Sequence, residues 1–334
     1  MRVQYRKALV GGAAAAMAAA GPVWSQTIEE ICATAATEPP LMWYSSQDPG
    51  FNAVTVEAFS SAYPDIETEF FRLPSGALAA RYASERDAGV VYADLISLSD
   101  ANFVAAGIEK GWIVQFAQAD LPALANIDAA DFSNGVARTG TNVAGITFNS
   151  EMIGGGPIQG WEDLLRPELK GKIALADPRN VPSFVALFRI LREEFGDAYL
   201  TKLADQDLVV VSSAVPGTQQ VAAGEFAIVF PNTLAVTAPI KAQGAPVDFM
   251  VPSPTTGVEY STMLSEGADS PNAAKCFFNF LYTEEGQRSF NSATSVPVVK
   301  GLSDMAELPD GYQDPKVLEN GQHAEAILQL LKLR

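Results

Sequence analysis

Histidine is almost absent from this 334-residue chain, His323 near the C-terminus being the only one. With no second His or Cys close to it in sequence, neither a zinc site of the usual ligand spacing nor a His-based catalytic triad finds support. Cysteine is nearly as scarce. Cys32 and Cys276 stand alone; in an exported chain such a pair suggests one disulfide, with two separate buried thiols as the alternative. Positive charge is also in short supply, with 22 Lys and Arg against 39 Asp and Glu, a net charge of −17. A surface of that sign repels nucleic acid and anionic membranes, so neither is an expected partner. No Gly-x-Ser-x-Gly elbow is present, and a serine nucleophile would lack a nearby base. A secreted hydrolase built on one of the serines with Asp48 or Asp177 is therefore the lesser reading, and the chain is expected not to be an enzyme.

Long apolar runs are missing too, except at the start. Arg2, Arg6 and Lys7 precede an unbroken small, apolar stretch from Ala8 to Ala20, which is shorter than the roughly 20 residues needed to cross a bilayer. The layout is that of a secretory signal peptide over residues 1–25, with cleavage near Ser25 and export to the periplasm. About 300 residues then remain, enough for two domains.

From Pro40 onward short β-like runs alternate with amphipathic helical patterns. Leu41–Tyr44 reads as a buried strand, Ser45–Gly50 as a polar turn, and Phe51, Val54, Ala58, Phe59 and Ala62 as one helix face. A strand follows at Ile66–Phe70, a helix opens at Ser75, and Tyr92–Ser97 returns as a strand. Strand, helix, strand, helix, strand implies a parallel α/β sheet with right-handed crossovers. The pattern recurs with a strand at Lys172–Ala176 and a stripe of Phe184, Leu187, Phe188, Leu191 and Phe195. Three more strands follow at Leu208–Val211, Phe226–Phe230 and Val247–Met250. Val143–Asn149 and Pro252–Val258 stand outside this alternation and are expected to be strands that cross between two lobes. Lobe one would then comprise residues 26–144 and 256–310, lobe two residues 145–255, and residues 311–334 a C-terminal helical segment. The two lobes would be doubly wound α/β sheets joined by a two-strand hinge.

Several segments resemble a known family in order and spacing: Trp43–Gln47, Ser75–Arg81, Ala93–Leu95, Trp161–Leu164, Leu169–Ala174 with Asp177–Pro178, and Val221–Glu225. Together they are similar to the type 2 periplasmic binding-protein fold, in the family 1 extracellular solute-binding branch of ferric-iron, thiamine, hexose-phosphate and 2-aminoethylphosphonate binders. The resemblance covers almost the whole mature chain. It implies capture of a small-molecule solute between closing lobes, followed by docking on the membrane permease of an ABC uptake transporter, with the protein a monomer and no cofactor. A sensor kinase is the alternative reader of the closed form. Ferric binders of this group place a His, a Glu and a tyrosine pair where this chain has Asp48, Leu98 and Pro231–Asn232, which leaves iron without its hard phenolate ligands.

The turns that precede helices carry the expected site. Free backbone N–H groups and the helix dipole make such turns attract anions. Tyr44, Ser45, Ser46 and Gln47 lie at the first strand end and Ser75 and Gly76 at the second helix, while Ser183 and Ser213 head later helices. Serine is equally a common N-cap. Arg72 from lobe one and Arg179 from lobe two are expected to grip an anion bidentately. Asn232, ending a strand, and Tyr260, near the return crossing, complete the ligand-binding set. These features favour a small organic anion bearing a phosphonate, phosphate or carboxylate; ferric iron or a cation such as thiamine or a polyamine is the alternative.

Overall fold

Two β-sheets share one long strand, and the rest of the chain is arranged around it. The computed structural model describes residues 26–316 and 320–333, so the expected signal peptide over residues 1–25 lies outside the described residues. The chain begins with α1 (Ile28–Ala35), β1 (Leu41–Ser45), α2 (Pro49–Ala62), β2 (Thr68–Arg72), α3 (Ser75–Asp87), β3 (Leu95–Leu98) and α4 (Ala101–Glu109). Next come a two-residue β4 (Phe132–Ser133) and the long β5 (Val136–Asn149), then β6 (Ile173–Ala176), α5 (Pro182–Phe195), α6 (Asp197–Ala204), β7 (Val209–Val211), α7 (Ala214–Ala222), β8 (Ile228–Thr233), α8 (Leu234–Ala242) and β9 (Val247–Met250). The chain then runs through β10 (Gly257–Leu264), α9 (Pro271–Leu281), α10 (Glu284–Asn291), β11 (Val296–Pro297) and α11 (Gly321–Leu330).

In the first sheet β1 lies parallel between β2 and β3, with β10 antiparallel between β3 and β5. In the second, β6 lies parallel between β7 and β8, and β8 and β9 run antiparallel to β5. Each lobe thus repeats the order second, first, third, with a topological switch point beside its first strand. Ligands of open α/β sheets sit outside the carboxyl ends of strands at such a point. The two-lobed α/β fold is as expected from the sequence.

The crossings differ in part from expectation. β5 is continuous through both sheets, pairing with β10 up to Val143 and with β8 from Ala144. It begins at Val136 rather than Val143. A Cβ on Gly145 would lie 2.3 Å from the Met250 carbonyl oxygen, so the passage into the second sheet requires glycine. The return is not a strand over Pro252–Val258, because only its last two residues belong to β10. Pro252 and Pro254 have no N–H to give to a ladder. The return is held instead by Thr255 Oγ1 donating to the Ala144 carbonyl (2.7 Å), and by backbone bonds from Thr255 to Gly311 and from Gln313 back to Thr255. Trp161 Nε1 donates to the Pro254 carbonyl at 2.7 Å.

The lobe-one core is aromatic. Trp43 is fully buried against Phe70, Phe277 and Phe290, and its Nε1 donates to Ser97 Oγ at 3.0 Å. Each such ring contributes about 2 kcal/mol or more through area removed from water. Asp94, from the Ala93–Leu95 segment, accepts from the Met42 and Ser270 amides, joining β1 to the start of α9. The lobe-two core centres on Trp161, Phe188, Leu191 and Phe230, and α11 adds Ile327 to it.

Cys32 on α1 and Cys276 on α9 form the expected disulfide, with Cα atoms 5.3 Å apart. The bond spans a sequence separation of 244 residues, for which the chain-entropy model gives roughly 5 kcal/mol as an upper figure. The Cys32→Ser, Cys276→Ser double variant is expected to unfold at a clearly lower urea midpoint and with a steeper slope, because the unfolded chain without the cross-link exposes more surface. Coincident unfolding curves for variant and wild type would show that the bond adds nothing.

Candidate functional site

The carboxyl ends of the strands in both lobes converge on one cavity of about 60 Å³ between the two sheets. Lobe one lines it with Ser46, Gln47 and Asp48 after β1, with Arg72, Pro74 and Ser75 around the β2–α3 turn, with Ser99 after β3, and with Asn142, Val258 and Tyr260 from the two central strands. Lobe two adds Val181 and Phe184 at the start of α5, Ser213, Ala214 and Val215 at α7, and Thr233 and Val236 at α8.

The polar groups of lobe one form a cup of donors. Gln47 is 1% exposed, and its carboxamide orientation follows from its partners. Oε1 accepts from Asn142 Nδ2 (3.1 Å) and from the Asp48 amide (3.1 Å), which leaves Nε2 free to donate and, among the described residues, without a partner. Ser46 and Ser99, 5% and 4% exposed, carry hydroxyls with no partner among the described residues. Ser75 Oγ accepts from the Ser99 amide at 2.9 Å and keeps its own proton for a further acceptor. A buried polar atom left unpaired costs about 1–3 kcal/mol, and several around one cavity mark a place built for a ligand or water. Arg72 completes the cup. Its Nε donates to the Gln47 carbonyl at 3.3 Å, and among the described residues its guanidinium makes no ion pair.

One carboxylate faces this cup. Asp48 caps α2, its Oδ1 accepting from the Gly50 amide at 2.8 Å. Burial raises its pKa above the ordinary carboxylate range, offset in part by the helix amides and by the Arg72 charge. Tyr260 is buried at the floor, and that burial pushes its hydroxyl well above the ordinary tyrosine range, so it serves as a neutral hydrogen-bonding group.

Of the twelve residues expected at the site, Ser46, Gln47, Arg72, Ser75, Ser213 and Tyr260 line this cavity, and six do not. Arg179 is the main correction. Its fork is taken by Asp177, at 2.7–3.0 Å, and Nη1 donates to the Leu333 carbonyl at 3.0 Å. That pairing two residues back in sequence holds the guanidinium away from the cavity. Asn232 is buried inside lobe two, its Nδ2 donating to Thr147 and Thr218 (both 2.7 Å) and its Oδ1 accepting from the Thr233 amide. Tyr44 packs on Phe71 and donates to Glu85 at 3.1 Å, and Ser45 Oγ donates to Asn52 at 2.8 Å. Ser183 is buried beside Phe184 with an unpartnered hydroxyl but does not line the cavity. Gly76 acts through its backbone, its N–H crossing the cleft to the Asn180 carbonyl at 3.1 Å.

Sequence reasoning did not assign Asp48, Ser99 or Asn142 to the ligand-binding set. Asp48 and Ser99 follow strands whose ends were recognised, so a rule taking every polar residue just past a parallel strand would have found them. Asn142 lies within β5 and carried no such signal.

A family model described as "Bacterial extracellular solute-binding protein" matches residues 90–317. The chain belongs to that family. A Haemophilus influenzae protein described only as uncharacterized is 24% identical over 247 residues, 70% of each chain. Among solved structures, the periplasmic binding protein AfuA of Actinobacillus pleuropneumoniae, with fructose-6-phosphate bound, superposes with a TM-score of 0.70 at 21% identity, covering 88% of this chain and 99% of that one. The substrate-binding protein of an ABC transporter from Agrobacterium tumefaciens gives 0.74 at 19% identity, covering 88% and 95%. Iron-bound HitA of Pseudomonas aeruginosa gives 0.68 at 18%, covering 88% and 99%. These likenesses establish the solute-binding fold, and no helix among the described residues is long and apolar enough to cross a membrane.

The cross-cleft bond at Gly76 yields a test of closure. A Cβ there would sit 3.3 Å from the Asn180 carbonyl oxygen, and the branches of valine would collide with it. Gly76→Val is expected to weaken solute binding roughly tenfold, the equivalent of about 1.4 kcal/mol. Its melting temperature without solute should stay close to that of wild type. Unchanged affinity in calorimetry would show that closure does not bring these backbones together.

Proposed function

We propose that this solute-binding protein captures a small organic anion between its lobes and presents the closed, loaded form to the membrane permease of an ABC uptake transporter, with no catalytic step of its own. The observation that carries this reading is the lobe-one cup, in which Ser46, Gln47, Ser75 and Ser99 have donor capacity left over beside an Arg72 that makes no ion pair among the described residues. Charge-assisted hydrogen bonds to an anion are about twice as strong as neutral ones. Burial in a closed cleft strengthens them further. The structural neighbour described with fructose-6-phosphate bound is in keeping with anion capture in a cleft of this fold.

The working division of the moving parts is residues 26–144 with 256–310 against residues 145–255, the protein acting as a periplasmic monomer after loss of residues 1–25. The bulk charge, −17 for the full chain and −20 once Arg2, Arg6 and Lys7 are lost with residues 1–25, opposes anions only at long range. At physiological salt, charges beyond about 8 Å are largely screened, so the contacts of the cup decide the ligand's sign.

A thermal-shift panel tests the reading. Anions (carboxylates, phosphonates, sugar phosphates) are compared with thiamine, polyamines and ferric citrate. A ligand at 100 times its dissociation constant stabilises the folded form by about 2.7 kcal/mol, a readily visible shift. Anions alone should raise the melting temperature. Arg72→Ala should abolish that shift, whereas Arg179→Ala should leave it in place. Stabilisation by cations or iron alone, or by an anion independently of Arg72, would overturn the proposal.

Asp48 adds a pH dependence of definite sign. Its protonation removes a negative charge from the cleft, so affinity for a permanently charged anion such as a sulfonate should rise as pH falls from neutrality through the raised pKa of Asp48. Asp48→Asn, which keeps a capping side chain, should bind more tightly at neutral pH and show a flat profile. An affinity that falls on acidification in wild type would contradict this account.

A further inference from the structure

The two walls of the cavity differ in kind. Every charged side chain that lines it belongs to lobe one, and so do the lining residues whose buried donors lack a partner among the described residues, Ser46, Gln47 and Ser99. Lobe two offers Val181, Phe184, Ala214, Val215 and Val236, with only Ser213 and Thr233 as polar side chains, and Arg179 is held away by Asp177. The apolar character continues beneath the cleft, where Phe184 and Ala214 join Val258 and Tyr260 in the hydrophobic cluster of lobe one. A sugar body presents hydroxyls all round and would leave several of them unpaired against such a wall, at about 1–3 kcal/mol each. A hydrocarbon body gains there instead.

The charge count narrows the head group. The cup holds one guanidinium and one carboxylate, and Asp48 is already engaged in capping α2. With Arg72 and Asp48 cancelling, every negative charge on the solute is in excess and rests on hydrogen bonds alone, so a dianionic head carries twice the excess of a monoanionic one, and buried charge without a partner is strongly disfavoured. A cavity of about 60 Å³ has room for only a few small groups in the closed form, roughly four to six of water size. Resting on the anion reading above, we infer that the solute is a small monoanion with an apolar body, its carboxylate-like head held by Arg72 and the serines of lobe one and its hydrocarbon end against Phe184, Val215 and Val236 of lobe two. The polar lobe decides that an anion is held, and the apolar lobe decides which one.

Isothermal titration calorimetry on protein dialysed free of co-purified solute tests this with acetate, propionate, butyrate and isovalerate. Inorganic phosphate, fructose-6-phosphate, and valine as the zwitterion with the isovalerate skeleton serve as comparisons. Each added methylene should tighten binding about fourfold until the cavity is filled. Val236→Thr, which changes the apolar wall by one hydroxyl, should flatten that slope. Arg72→Ala should weaken all the carboxylates together.

The slope in the wild-type protein is a readout that does not depend on any variant folding. A series with no chain-length dependence would overturn the inference, as would valine binding more tightly than isovalerate. Phosphate or fructose-6-phosphate outbinding the carboxylates, with Arg72 still required, would overturn the monoanion assignment while leaving anion capture standing. Failure of every anion to bind would remove both.

Discussion

The continuous backbone ladder of β5 is the constraint on which the rest of the molecule depends. Its first half is a member of one sheet and its second half a member of the other. Both lobes take their orientation from a single length of chain whose peptide groups are already committed to hydrogen bonds. The passage from one sheet to the other is short, about Val143–Gly145, where β10 stops pairing and β8 begins. The strand ends of both lobes face the same gap, so the lining turns of both meet there. The Gly76 amide reaches the Asn180 carbonyl across it. The lining hydroxyls and the Gln47 amide are left for a guest molecule to satisfy.

Much of the architecture was legible from periodicity. The stripe from Phe184 to Phe195, the alternation through Phe51 to Ala62 and the short apolar strands before polar turns all correspond to elements of the fold, within a few residues at their ends. Apolar spacing reports burial, and burial is what these elements share. The first half of β5 escaped because Arg138, Thr139, Thr141 and Asn142 give it no apolar alternation. That stretch is buried by polar pairing instead, as where Thr139 bonds to Thr262 and Tyr282.

The site was legible at the level of turns and not of side chains. Half of the expected residues line the cavity because strand ends can be located from sequence and the fold aims them at the cleft. The remainder turn on where a side chain goes once it leaves the backbone. Arg179 had a carboxylate two positions before it, and a local ion pair formed at little entropic cost competes well with a distant cleft. Asn232 had hydroxyls of its own lobe within reach. Such choices depend on neighbours that only tertiary structure supplies, although Asp177 was visible as a rival partner from the start.

The disulfide has a consequence for chain connectivity. Cys32 and Cys276 both belong to the first lobe, so every strand from β1 to β10, and with them the whole second sheet, lies inside one covalent ring. Topologically the second lobe is an excursion from that ring. A single backbone cut anywhere in it opens the ring without dividing the molecule, since the two fragments stay joined through the first lobe. The sulfur bridge does not span the gap between the lobes, so it ties the first lobe to itself and places no covalent tie across the cleft.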